Sequence, residues 1–127
     1  MEIYGIEAKD VSDYIKKHGK LDPSAIKKED RKNLLRTACT IGDTDVVRDC
    51  IDIGERVDDP LLIEHSSYYG FYDIVKMLLE NGASPFGNGS AISVCYVRCH
   101  YKTHGLLNQY ARKYKINKLL GNGEKDI

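Results

Sequence analysis

The stretch Leu35-Arg36-Thr37-Ala38-Cys39-Thr40-Ile41-Gly42-Asp43-Thr44-Asp45-Val46-Val47 carries apolar residues at helical spacing, breaks at a glycine, and opens a second helical run that reaches Gly54. The same order returns 28 residues later. Ile63-Glu64-His65-Ser66-Ser67-Tyr68-Tyr69-Gly70-Phe71-Tyr72-Asp73-Ile74-Val75-Lys76-Met77-Leu78-Leu79-Glu80-Asn81-Gly82 places Gly70 on Gly42 and Gly82 on Gly54. Each unit reads as helix, tight turn, helix, glycine stop.

Each slot has a physical reason. Small residues at Ala38-Cys39 and Ser66-Ser67 let the first helix lie close to its neighbour. Val46, Val47, Cys50 and Ile51, and Ile74, Val75, Leu78 and Leu79, recur at i, i+1, i+4, i+5 and form the buried face of the second helix. Gly54 and Gly82 fall where a helix end takes a left-handed residue, and Pro85 prevents the helix from resuming.

Glu80-Asn81-Gly82-Ala83-Ser84-Pro85, after Asp73-Ile74-Val75-Lys76-Met77-Leu78-Leu79, resembles the ankyrin repeat. Two departures stand beside it. The Thr-Pro-Leu-His opening of that family's first helix is absent, and the 28-residue period is shorter than the family's ~33. A shortened finger loop between the two units is therefore expected. The resemblance implies an all-α fold: a helix-turn-helix solenoid of about three stacked repeats with atypical ends.

Extended to the whole chain, this gives one domain over 1–120 and a loose tail at 121–127. A partial repeat spans 1–20, where Val11 precedes Gly19 as Val46 precedes Gly54, so the run from Asp10 to Gly19 reads as a second helix. Repeats follow at 33–57 and 61–85. A degenerate repeat at 90–118 has Cys95-Tyr96 in the small-residue slots, Leu106-Leu107 opening the second helix, and an insertion of about three residues near 101–105.

With 127 residues, 42% hydrophobic and 30% charged, the chain accommodates one domain. It has no run of roughly 18 apolar residues, and Met1-Glu2-Ile3-Tyr4 lacks a signal-peptide layout, so a cytoplasmic protein is expected. Cys39, Cys50, Cys95 and Cys99 lie in helical patterns and read as reduced thiols. Net charge is zero but unevenly spread: 43–64 carries −6, while 81–123 has no acid and carries +6. Such opposite ends offer head-to-tail association of two copies.

The resemblance implies protein binding through finger loops and the ends of the first helices. Slot by slot, these ends are Thr40 and Ile41, Tyr68 and Tyr69, and Val97 and Arg98. Tyr68 and Tyr69 cannot both be buried on one helix face, and tyrosine supplies rigid contact area with a polar tip. Phe71 and Tyr72 extend the patch, unless some of these rings cover the core. An adaptor or an inhibitor that occupies a partner's surface is expected, an economy that suits a viral or phage antagonist. The alternative is nucleic-acid binding through Lys102, Arg112, Lys113, Lys115 and Lys118, interleaved with Tyr101, Tyr110 and Tyr114. Tyr110 and Tyr114 share the buried-face spacing of Leu106 and Leu107, which favours an ordinary solvated helix face or contact with an acidic protein partner.

Three chemical constellations complete the reading. Cys95, Cys99, His100 and His104 supply zinc-ligand types. In a continuous helix His100 points about 100° from Cys99, so one ion could collect all four only if the helix breaks, which the insertion near 101–105 would allow. Cys95 falls in a slot that wants a small buried residue, so packed thiols are the default and no cofactor is expected. No acidic orienter lies near these groups, so no triad forms locally and an enzyme is not expected. Gly87-Asn88-Gly89-Ser90 could cradle a phosphate but lacks a nucleotide loop's lysine, and reads as a joining turn.

Overall fold

The computed structural model describes Glu2–Ile3, Ile6–Glu7 and residues 28–120. The helix read at Asp10 to Gly19 and the tail at 121–127 lie outside the described residues. Among the described residues the body is built of six helices: α1 (Lys28–Ile41), α2 (Thr44–Asp52), α3 (Pro60–Tyr68), α4 (Tyr72–Glu80), α5 (Ala91–Val97) and α6 (Tyr101–Leu119). One feature absent from the sequence reading is a short antiparallel pair, β1 (Glu2–Ile3) on β2 (Ile6–Glu7), with Ile3 opposite Ile6. Alternating glutamate and β-branched isoleucine suits that pairing.

Local chemistry starts and stops these helices. The Asp43 carboxylate accepts from the Val46 amide and caps α2; Asp59 accepts from the Leu61 amide and caps α3, with Pro60 in the first turn. At the far ends of α2 and α4, the amides of Glu55 and Ala83 return to the carbonyls of Cys50 and Leu78, both at 3.0 Å. These six-to-one bonds close the helices at Gly54 and Gly82, as expected.

Successive helices pair as α1 with α2, α3 with α4 and α5 with α6. The first helices line up as α1, α3, α5 and the second as α2, α4, α6, giving two layers. One apolar core runs between them, from Leu35 and Val46 through Ile63, Ile74 and Leu78 to Cys95 and Leu107.

The third unit repeats the turn of the first two more faithfully than its sequence suggests. The amides of Asp43, Phe71 and His100 donate to the carbonyls of Ala38, Ser66 and Cys95 at 3.0, 2.9 and 2.8 Å. Gly42, Gly70 and Cys99 occupy the same slot, all with positive φ: 84°, 71° and 64°. The expected insertion at 101–105 is therefore not an insertion. Those residues form the first turn of α6, which follows Cys99 at the same offset as α2 follows Gly42. Thr103 takes the place of Val46 and Ile74, and Leu107 that of Cys50 and Leu78. Cysteine in a glycine slot hid this register from the sequence.

The fingers are held from one position of the first helices. Arg36 Nε donates to Asp59 at 2.5 Å, tying down the loop at 53–59. One repeat later Glu64 accepts from the Asn88 amide at 2.9 Å and the Ser90 hydroxyl at 2.5 Å, tying down the loop at 81–90. The first finger is the shorter of the two. Charge inverts between the units while the mechanical role stays the same.

Candidate functional site

Where each first helix ends, its last residues cannot be covered, because the chain must leave for the turn. Along the stack this edge presents Ile41, then Tyr68 and Tyr69, then Val97 and Arg98, all exposed. Tyr68 and Tyr69 are 40% and 46% exposed. Their rings meet edge to face at 4.9 Å, and Tyr69 stacks on Phe71 at 5.6 Å.

Not every expected contact residue is equally available. Phe71 is half-buried, and its ring sits so close to Gly42 that a β-carbon there would lie 2.8 Å from it. Tyr72 is half-buried against the core, with the Lys102 ammonium 4.2 Å from its ring centre. Both cover core, and their place in the contact patch is reduced accordingly. Thr40 is half-buried, and its hydroxyl is engaged: it donates to the Arg36 carbonyl (2.9 Å) and meets His65 Nδ1 at 3.0 Å.

The C-terminal end of α3 is neutralised by the next repeat. Arg98 Nε and His100 Nε2 both donate to the Tyr68 carbonyl, at 3.0 and 3.1 Å, and the Arg98 guanidinium lies 4.0 Å from the Tyr68 ring centre. A cation at a helix C-terminus is favourable, and over an aromatic face doubly so. Arg98 thereby fixes Tyr68 in its outward pose.

A hollow of about 390 Å³ lies beside the tyrosines, lined by Thr40, Leu61, Glu64, His65, Tyr68, Tyr69, Asn88 and Ser90. Sequence reasoning missed His65 and Glu64, whose positions on α3 face the finger; the only available signal was that they precede the small-residue slot. Burial lowers the His65 pKa from 6.5, with Arg36 adding to that and Asp59 and Glu64 opposing it. The unfolded chain therefore binds the His65 proton more readily than the folded one. This contribution to stability is complete above about pH 6.5 and is lost as pH falls through the lower folded value. The urea midpoint should fall between pH 7.5 and 5, and His65→Gln should flatten that part of the profile.

The zinc-type residues are dispersed to separate partners. Cys95 Sγ donates to the Ser67 carbonyl at 3.3 Å, and the Tyr101 hydroxyl donates to Cys99 Sγ at 3.3 Å. His100 packs on Gly70, and His104 lies against Tyr96, ring centres 5.4 Å apart. Among the described residues no group of three or more His, Cys, Asp or Glu is placed to hold a metal. Burial raises the thiol pKa values of Cys39 and Cys95, and pushes Cys50 up to about 12, so these three stay protonated at neutral pH. In the Gly87 to Ser90 segment, read as a possible phosphate cradle, the Asn88 amide and the Ser90 hydroxyl donate to Glu64, while the Gly87 and Gly89 amides return to the carbonyls of Ser84 and Phe86.

The basic third divides in two. Lys102, Lys113 and Lys118 lie over Tyr72, Tyr110 and Tyr114 at 4.2, 5.0 and 5.7 Å. Beyond Ala111, residues 112–120 are all exposed, including Arg112 and Lys115. Tyr114, expected on the buried face, is 49% exposed, with an edge contact to Phe86 beside the Lys118 ammonium, because the core ends one turn earlier. No helix among the described residues is long and apolar enough to cross a membrane.

Comparison with protein-family models, with curated proteins and with solved structures gives no match to this chain.

Proposed function

We propose that this chain is a small ankyrin-type array of the cytoplasm whose work is to bind another protein, as an adaptor or as an inhibitor that covers a surface. The observation that carries the reading is the exposed Tyr68 and Tyr69 pair at the middle of the stack, with Tyr68 held by Arg98 and Tyr69 packed edge to face on it, flanked by Ile41 and Val97. Rings held this way lose little freedom on binding, which is what makes tyrosine an interface anchor. Binding, not catalysis, is favoured because the thiols and imidazoles serve other contacts. A viral or phage antagonist of host machinery fits so compact a binder.

The test is quantitative. A partner recovered from the native host and measured with purified protein should lose roughly 30-fold or more in affinity for Tyr68→Ala/Tyr69→Ala, about 2 kcal/mol or more for a pair of anchors. Unchanged affinity would sink the site. The exposed, basic end of α6 supports a second reading, nucleic-acid binding through Arg112, Lys113, Lys115 and Lys118. Binding of that kind weakens steeply with salt and is indifferent to the tyrosine pair.

A further inference from the structure

The turn edge has an order of charge that repeats make easy to see. The three turns carry Ile41, Asp43 and Asp45, then Tyr69, Phe71 and Asp73, then Arg98, His100 and Lys102, each set in equivalent slots. The edge thus runs from acid, through aromatic rings, to base. A surface of that kind is its own complement when turned by a two-fold axis through its middle, which is the condition an isologous interface must meet. We propose that two copies of this chain pair antiparallel along the turn edge, with the tyrosines of the two middle turns at the axis. Asp45 of each copy then lies near Arg98 and Lys102 of the other.

The charges are available for this. Asp45 is 81% exposed at its side chain and engages only Arg48, at 3.0 Å, in a surface pair that is readily exchanged. Arg98 and Lys102 lie over tyrosine rings and have no acidic partner among the described residues. Head-to-tail stacking, the other use of opposite charges, meets an obstacle. The slot that stacking buries holds Cys39 and Ser67 in the first two units, both fully buried, but Tyr96 in the last, 61% exposed. A further repeat cannot settle on that ring as α5 settles on Ser67.

The pairing uses the same edge as the proposed grip, so a bound partner and a second copy exclude each other. It rests on the order of charge, however, and is tested separately. Sedimentation equilibrium of the full chain at low salt should show a reversible dimer, weakened several-fold as ionic strength rises from roughly 0.05 to 0.5 M. Each contact occurs twice across the axis, so Asp45→Lys and Lys102→Glu should each weaken it by about ten-fold or more. The double variant should regain most of the loss. Asp73→Asn, which removes the acid of the middle turn, should tighten the dimer. A chain that stays monomeric at about 100 μM and low salt overturns the proposal, as does a dimer indifferent to both charge reversals or not restored by combining them. A monomer that still loses its partner on Tyr68→Ala/Tyr69→Ala leaves the proposed grip standing.

Discussion

Gly70→Ala should lower the stability of the chain by about 2–4 kcal/mol, read as a drop in the urea midpoint at unchanged slope. Two effects add. At φ 71° an alanine sits in a conformation that costs an L-residue about 1–2 kcal/mol. Its β-carbon would also lie 2.5 Å from Nδ1 of His100, in a ring tied to the Tyr68 carbonyl and unable to swing away without losing that bond. In a His100→Ala background the same substitution should cost only the backbone share. The converse applies at Cys99, where a side chain already sits at φ 64°. Cys99→Gly should gain up to about 1 kcal/mol, the relief of strain exceeding the extra entropy of an unfolded glycine. A loss there would mean that the Tyr101 bond to Sγ outweighs the strain.

The same slot explains what the sequence could and could not disclose. The helix, turn and stop of the first two units were legible because glycine marks both the turn and the stop, and because Val46-Val47 and Ile74-Val75 keep one register. In the third unit cysteine replaces the turn glycine, and Leu106-Leu107 resembles the start of a buried face. The register thus reads three residues late, and an insertion is inferred where none exists. The outward pose of Tyr68 and Tyr69 was legible from their adjacency. The burial of Phe71 was not, since it depends on Gly42, one repeat away, leaving room for the ring. Equally hidden were the finger clamps, because Arg36 and Glu64 perform one task with opposite charge.

Interleaved tyrosines and lysines illustrate a subtler limit. In sequence they suggest a surface that tracks phosphates and stacks bases. Folding sets Lys102, Lys113 and Lys118 over tyrosine faces of their own chain, so each ring already has a cation and each cation a ring. Pairs of this kind contribute roughly 0.5–1 kcal/mol each at exposed sites. Unengaged basic charge is concentrated at Arg112 and Lys115, which is a smaller electrostatic footprint than the count of cations implies.

Ser67→Tyr is expected to be the most damaging single substitution, and to damage one part of the chain selectively. Ser67 is fully buried where α3 meets α5, its carbonyl accepting from Cys95 Sγ and its hydroxyl without a partner among the described residues. A tyrosine there has no volume to enter. The mismatch exceeds the one or two methylenes that ordinarily cost ~1–3 kcal/mol, so a loss above about 3 kcal/mol is expected. Tyrosine is also what the third unit carries at this slot, in Tyr96, which is 61% exposed and on which no further unit packs among the described residues. The substitution should therefore turn the second unit into a closing one and release α5 and α6 as a pair. Amide hydrogen exchange would show protection lost in α5 and α6 and largely kept in α1 to α4, as nearest-neighbour coupling between repeats requires. Ser67→Ala should instead be neutral or stabilising by up to about 1 kcal/mol, because it removes an unsatisfied buried hydroxyl. If Ser67→Tyr melted all six helices together, the units would be one cooperative block, and α5 and α6 would not be a separable pair.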